Sequence, residues 1–313
     1  MRDRKRLGGR EVPCYVRGMT KPRTALWWLT WCLAAITFAS GASAQDLIYS
    51  DDFEIGDTSR WSDVQGPSAE VFRFSSVAVR DPHFFVDVPF VGCIDITDDG
   101  VVGLVPSFNE WLQSSLDSDG NGDGLLDNSF LMVFKPFSPE VSDGVTRVVE
   151  ADCTAPVVST SCTPTPDSDS ATAVYDGFPS GPCLEPVVGS TSGYWPSVVS
   201  PGPPCFVTAP STFVVSLNGL LLPLDTLQIA ATPDSDPETM FTDGLIMGFL
   251  TEEDADSVVL PEDLPLIGGD PISSILPGGA GCCASGDDRD TWDGESGWWI
   301  YLNFESDIVP FTE

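Results

Sequence analysis

Basic residues are scarce in this 313-residue chain: three lysines, eleven arginines and one histidine, His83, against 47 Asp plus Glu, for a formal charge of −33. A surface this acidic repels phosphate backbones and anionic lipid headgroups, so nucleic acid is not an expected partner, while divalent cations are attracted. The lone imidazole narrows the catalytic repertoire. A Ser-His-Asp triad would have to use His83 in a strand-like run, and no Gly-x-Ser-x-Gly elbow accompanies it. There is no phosphate-binding or dinucleotide glycine pattern. Nor is there a Cys-x-x-Cys pair, which together with a single histidine argues against zinc.

No apolar run reaches the roughly 20 residues that span a bilayer. The longest, ALWWLTWCLAAITFA, follows eight Lys or Arg within residues 1–23 and precedes small residues at Ala42 and Ala44. A basic n-region, a short apolar stretch and a small-residue cleavage site predict a secretory signal over 1–44, with the mature chain starting at Gln45 and residing outside the cell or in the periplasm. Residues 1–44 hold eight basic and two acidic side chains, so their removal leaves 45 acids against six bases, a charge of about −39. An acidic, lysine-poor surface also suits a high-salt habitat, where counterions screen the repulsion.

Hydrophobic residues make up 42% of the chain and aromatics 10%, too much for a disordered acidic tail. Seven cysteines follow the predicted signal, and an exported protein keeps such thiols oxidised. Cys153 with Cys162 and Cys183 with Cys205 would each close a short loop, and Cys93 could reach Cys282 or Cys283. The odd count leaves one thiol over.

Residues 45–66 form an N-terminal segment ahead of a main domain over 67–313. Within it, Phe53–Ser62 (FEIGDTSRWS) resembles a FExGDTSxWS segment seen after the signal peptide in many exported bacterial proteins, a resemblance that implies no activity. Beyond it, strand-like alternation of β-branched and aromatic residues recurs at 69–80, 84–90, 129–137, 144–152, 212–222, 225–231 and 298–305. Gly, Pro, Ser and Asp clusters separate these runs. The expectation is an all-β fold, a β-sandwich. Two short helices are predicted: FNEWLQSSL, where Ser107 and Glu110 have capping-box spacing, and TEEDADSVVL, started by Thr251 and Asp254 and stopped by Pro261. Residues 154–211, rich in Pro, Ser, Thr and Gly, read as a disulfide-pinned irregular insertion.

The sharpest motif is DSDGNGDGLLD, Asp117–Asp127. Calcium takes six to eight hard oxygens, which a chain supplies by placing Asp or Asn at alternate positions around a glycine-permitted turn. A frame starting at Asp117 puts Gly124 where an apolar anchor is usual. The frame starting at Asp119 is better: the ligands are Asp119, Asn121, Asp123, the Leu125 carbonyl and Asp127, with Gly124 sixth and Leu126 the apolar eighth residue. This frame resembles the DxNxDGxxD loops of dockerin modules and thrombospondin type 3 repeats, and less closely the EF-hand. Phe130 replaces the bidentate Glu of an EF-hand, and no second loop follows. The resemblance therefore implies calcium binding alone, without a dockerin's cohesin partner, and Asn128 or another acid would complete the shell. The ion's expected role is structural.

Two weaker clusters lie near the end. Asp287, Asp288, Asp290, Asp293 and Glu295 fit no named loop and read equally well as a solvated turn. Trp292, Trp299 and Tyr301 are the candidate ligand platform, although period two buries Trp298 and Ile300 and leaves only half the aromatic cluster outward. The functional expectation is an exported, calcium-binding surface or binding protein whose ligand is an extracellular glycan or protein. The rival is a secreted, glycosidase-like hydrolase using a carboxylate pair that spacing in sequence does not reveal.

Overall fold

The computed structural model describes residues 69–312 except 89, 101–105, 136, 138–143, 166–169, 178–180, 218–219, 235–238, 263, 265 and 282–286. The chain separates into Met1–Gln65 and Gly66–Glu313, and only the second unit contains described residues. The predicted signal, the FExGDTSxWS segment, Cys282 and Cys283 therefore lie outside them.

The alternating runs form strands β1 (Glu70–Asp81), β2 (Phe85–Val88), β3 (Gly92–Asp95), β4 (Phe130–Phe134), β5 (Gly144–Cys153), β6 (Cys162–Pro164), β7 (Ser170–Gly177), β8 (Phe206–Thr208), β9 (Ser211–Leu217), β10 (Leu220–Pro233), β11 (Met240–Thr251), β12 (Asp290–Trp292) and β13 (Glu295–Ile308). Eight of them, β1, β4, β5, β7, β8, β10, β11 and β13, pair antiparallel in chain order, and β1 then pairs with β13 from Phe72↔Ile308 to Asp81↔Tyr301. The protein is mainly β, as expected, but the sheet closes into an eight-stranded up-and-down barrel in place of the expected sandwich. Closure removes the sheet edges that a sandwich leaves exposed.

An eight-stranded barrel has an interior that side chains can fill. Here aromatic rings do much of this. Phe72, Phe134, Tyr175, Phe206 and Phe241 come from five different staves, and Phe134 lies 5.3 to 5.9 Å from the other four, mostly edge-on. Edge contacts of this kind add about 0.5–1.5 kcal/mol each beyond area burial. Trp298, Ile300, Leu302 and Phe304 of β13 extend the same core, and the Trp298 indole N–H donates to the Pro277 carbonyl at 2.8 Å.

Two helices accompany the strands. In α1 (Phe108–Asp117), the Ser107 hydroxyl accepts from the Glu110 N–H at 3.1 Å, the predicted cap. Its Phe108, Leu112 and Leu116, at i, i+4 and i+8, join the core. The helix lies along β1 beyond the four residues, Glu70–Arg73, that pair with β4. There the Asn109 side chain accepts from the Val79 N–H and donates to the Val79 carbonyl, and Gln113 donates to the Ser75 carbonyl. Buried Arg73 donates to the Leu116 carbonyl near the helix end and to Ser129. The short α2 (Glu252–Ser257) starts at Thr251, whose hydroxyl oxygen accepts from the Asp254 N–H.

Residues 154–211 are not a wholly irregular insertion. They supply β6 and the staves β7 and β8, and among the described residues the longest irregular stretch is the strap 181–205. Cys183–Cys205 closes this strap and Cys153–Cys162 pins the β5–β6 hairpin, both as expected. Cys93 is also disulfide-bonded. No helix among the described residues is long and apolar enough to cross a membrane.

Candidate functional site

The acidic loop connects α1 to β4. Gly122 and Gly124 adopt φ of 75° and 90°, which their lack of a Cβ permits without strain. The side-chain oxygens wrap the turn. Asp119 accepts from the Asp123 and Gly124 amides at 3.0 and 2.9 Å, and Asn121 accepts from Asp123 at 2.8 Å. Asp123 accepts from the Leu125 amide at 2.9 Å, while Asp127 accepts from the Gly120 amide across the loop.

The loop is clamped at its far side, where the Leu126 N–H donates to the Cys153 carbonyl and the Ala155 N–H to the Gly124 carbonyl. Leu126 is buried, as an apolar eighth residue should be. The clamp uses the groups flanking Leu125 and leaves the Leu125 carbonyl out of the ladder. The donors are thus all hard oxygens, and each carboxylate has lone pairs beyond those taken by amides. They fit a calcium ion in type. In position, among the described residues, no three His, Cys, Asp or Glu converge closely enough to hold a metal ion. Binding would have to draw Asp119, Asp123 and Asp127 inward from their amide bonds.

A second cluster surrounds His83 and brings together residues far apart in sequence. His83 is 4% exposed, follows the cis Asp81–Pro82 bond, and its Nδ1 lies 2.6 Å from Asp95 Oδ2. Its Nε2 is buried without a hydrogen-bond partner, 3.8 Å from Asp98 Oδ2. The strap covers this group: Tyr194 stacks on the imidazole at 4.0 Å and 10°. The Ser192 N–H donates to Asp81 at 2.9 Å, and the Ser192 hydroxyl donates to Asp288.

The carboxyls here are shifted in opposite directions. Burial pushes Asp81 up to about 7, helped by Asp288 and Asp290 and opposed by the Ser192 amide. Asp288 and Asp290 are also raised by burial. Burial would raise Asp95 too, but its bonds from His83 and Thr97 outweigh that and hold it below the ordinary carboxylate range.

Of the predicted aromatic platform, Trp299 and Tyr301 are 4% and 0% exposed. The outer face of β13 is covered by the strap: Tyr301 Oη accepts from the Val187 N–H and shares a hydrogen bond with the Ser190 hydroxyl. Leu184, Met247 and Phe249 pack around Trp299 and Tyr301. Only Trp292, 40% exposed and edge-on to Trp299 at 5.0 Å, keeps a ring at the surface. The second acidic cluster is largely a hairpin, β12 to β13, turned by Asp293–Gly294 with φ of 48° and 91°. Glu295 opposes Trp292 in it, and Asp287 pairs with Arg289.

Sequence reading singled out His83, and Asp288 as part of a separate acidic cluster, but not Asp81, Asp95, Asp98, Ser192 or Tyr194, and it did not bring His83 and Asp288 together. Its one usable signal was the solitary imidazole in a strand run flanked by Asp81. No family model, curated protein or solved structure matches this chain.

Proposed function

We propose that this chain is an exported barrel protein that binds calcium through Asp119, Asn121, Asp123, Leu125 and Asp127, and that acts outside the cytoplasm by binding a glycan or protein ligand. The observation that carries the calcium reading is the loop itself: Asp119, Asn121 and Asp123 at alternate positions, with Asp127 four residues on, wrap a glycine turn clamped to a disulfide hairpin. Export is supported by the basic, apolar and small-residue start and by the disulfides at Cys153–Cys162 and Cys183–Cys205.

Calcium should raise the melting temperature of the purified mature chain, since an ion that binds only the folded state stabilises it by about 2.7 kcal/mol at 100 times its dissociation constant. Asp123→Ala should remove most of that rise. A melting curve unchanged between excess calcium and chelator would sink the reading.

The hydrolase reading has one observation in its favour, the opposite shifts of Asp81 and Asp95 beside His83, a pattern that in active sites separates acid from base. Binding is preferred because Asp81 and His83 are 2% and 4% exposed beneath the strap, so the seated strap leaves no open cleft over this pair. A panel of glycosides and esters distinguishes the two. Binding without turnover is expected, whereas turnover lost in Asp81→Asn would establish the hydrolase.

A further inference from the structure

We propose that residues 184–199 are a cover over the aromatic outer face of the barrel, latched by a proton-dependent seat in which Ser192 bridges Asp81 and Asp288 and Tyr194 lies on His83. This inference is independent of the calcium loop.

The cover has a fixed base and a held middle. Cys183–Cys205 and the Cys183 N–H to Pro201 carbonyl bond tie its ends together. Its flanks are attached by neutral contacts: Val187 and Ser190 to Tyr301, and the Val199 backbone to both ends of the Asn303 amide. The middle, at Ser192 and Tyr194, is the part that sits on ionisable groups. Beneath it lie Met247, Phe249, Trp299 and Tyr301, an apolar face flanked at Trp299 by the Trp292 ring of β12.

The groups facing Asp81 decide the direction. From β1 itself comes Arg80, whose described ion pair is with Asp98. His83 approaches from the turn into β2, with Asp95 and Asp98 behind it against the imidazole, Asp288 and Asp290 from the start of β12, Tyr301 from β13 and Tyr194 from the cover. Arg289 is engaged by Asp287 and Glu252. The seat therefore holds several acids and a single imidazole, and Ser192 is the donor that bridges Asp81 and Asp288. With both carboxyls protonated, Asp81 and Asp288 do not repel one another beneath the cover. As they ionise, two like charges are trapped in a poorly solvated place, and lifting the middle of the cover rehydrates them. Burial of Asp81 with a carboxyl raised to about 7 gives the same direction. The cover is seated in acid and loosens toward neutral and mildly alkaline pH, uncovering Trp299 and Tyr301 beside Trp292.

Hydrogen exchange on the full mature chain tests this, with calcium present throughout so that the outcome does not depend on the loop. Peptides spanning 184–199 are followed from pH 5 to pH 8, corrected for intrinsic rates, against a β11 reference peptide. Protection around Ser192–Tyr194 should fall at least about ten-fold more than the reference, and Asp81→Asn should hold it near the acid value. Ser192→Ala should lose protection already at pH 5. Protection independent of pH in the native chain, or a Ser192→Ala chain as protected as the native one at pH 5, would overturn the proposal even if Asp81→Asn failed to fold.

Discussion

The side-chain amide of Asn109 hydrogen-bonds both backbone groups of Val79, accepting from its N–H at 2.8 Å and donating to its carbonyl at 3.1 Å. A helix residue thus does for β1 what a neighbouring strand would do, at the place where β4 no longer pairs with it. Losing the amide leaves two partly buried backbone groups unsatisfied, each worth about 1–3 kcal/mol. Asn109→Ala should therefore lower the unfolding free energy by about 2–4 kcal/mol in denaturant titration. Gln113→Ala, which releases the Ser75 carbonyl and an exposed bond to Asp117, should cost about 1 kcal/mol.

Two glycines in the barrel face aromatic rings across the ladder. Gly144 is the register partner of Tyr175 and Gly244 of Phe304, and a Cβ at Gly244 would come 2.6 Å from the Phe304 ring. The ring lies over the glycine, so the strand gains packing without a side chain of its own. Gly244→Ala should destabilise by about 1–3 kcal/mol through overpacking. Adding Phe304→Leu should recover part of that loss, a coupling that a double-mutant cycle reads directly.

Much of this barrel was legible because strand and cap signals are local. The runs at 69–80, 144–152 and 298–305 became β1, β5 and β13, and the Ser107 and Thr251 caps formed as spaced. Barrel closure was not legible, since alternation is the same in a sandwich and the β1–β13 pairing joins residues more than 200 apart. β11 escaped notice because MFTDGLIMGFLT is buried on both faces from Gly244 onward and so does not alternate. Trp299 and Tyr301 were read as outward from their period, correctly as to face, but the strap that buries that face comes from an irregular segment with no periodicity to read. The acidic loop was visible as a contiguous motif. The His83 cluster was not, because its members span Asp81 to Asp288.

The acidic loop Asp119–Asp127 and the Cys153–Cys162 hairpin share the bonds from Leu126 to Cys153 and from Ala155 to Gly124. Replacing both cysteines by serine should lower stability by about 2–3 kcal/mol, the loop-closure entropy for a separation of nine residues. It should also shrink the rise in melting temperature that the proposed calcium binding predicts, because the far wall of the loop is then held less firmly. A cysteine-free hairpin with an undiminished calcium response would show that the loop is organised without it. Thiol counting on an unfolded, unreduced chain of residues 45–313 should find about one free thiol, as its odd number of cysteines, seven, requires.

Asp81 and Asp95 give the stability of this protein two pH edges of opposite sign. The folded chain holds the Asp81 proton more tightly than the unfolded chain, whose carboxyl titrates near 3.8 against about 7 when folded. Its contribution is complete below the unfolded value and is lost as pH rises through about 7. Asp95 is lowered, so its contribution is present above the unfolded value and is lost as pH falls below the ordinary carboxylate range. Denaturant midpoints measured from pH 3 to pH 8.5 should decline across the interval from about 4 to 7 by an amount that Asp81→Asn removes, since asparagine still accepts the Ser192 amide but carries no proton to lose. The same variant should melt higher than the native chain at pH 8 and close to it at pH 4. Asp95→Asn should act at the acid end, flattening the loss below pH 4 while leaving the decline between 4 and 7 in place. If Asp81→Asn left the decline unchanged, its source would have to be sought in Asp288 or Asp290, the other raised carboxyls of the cluster.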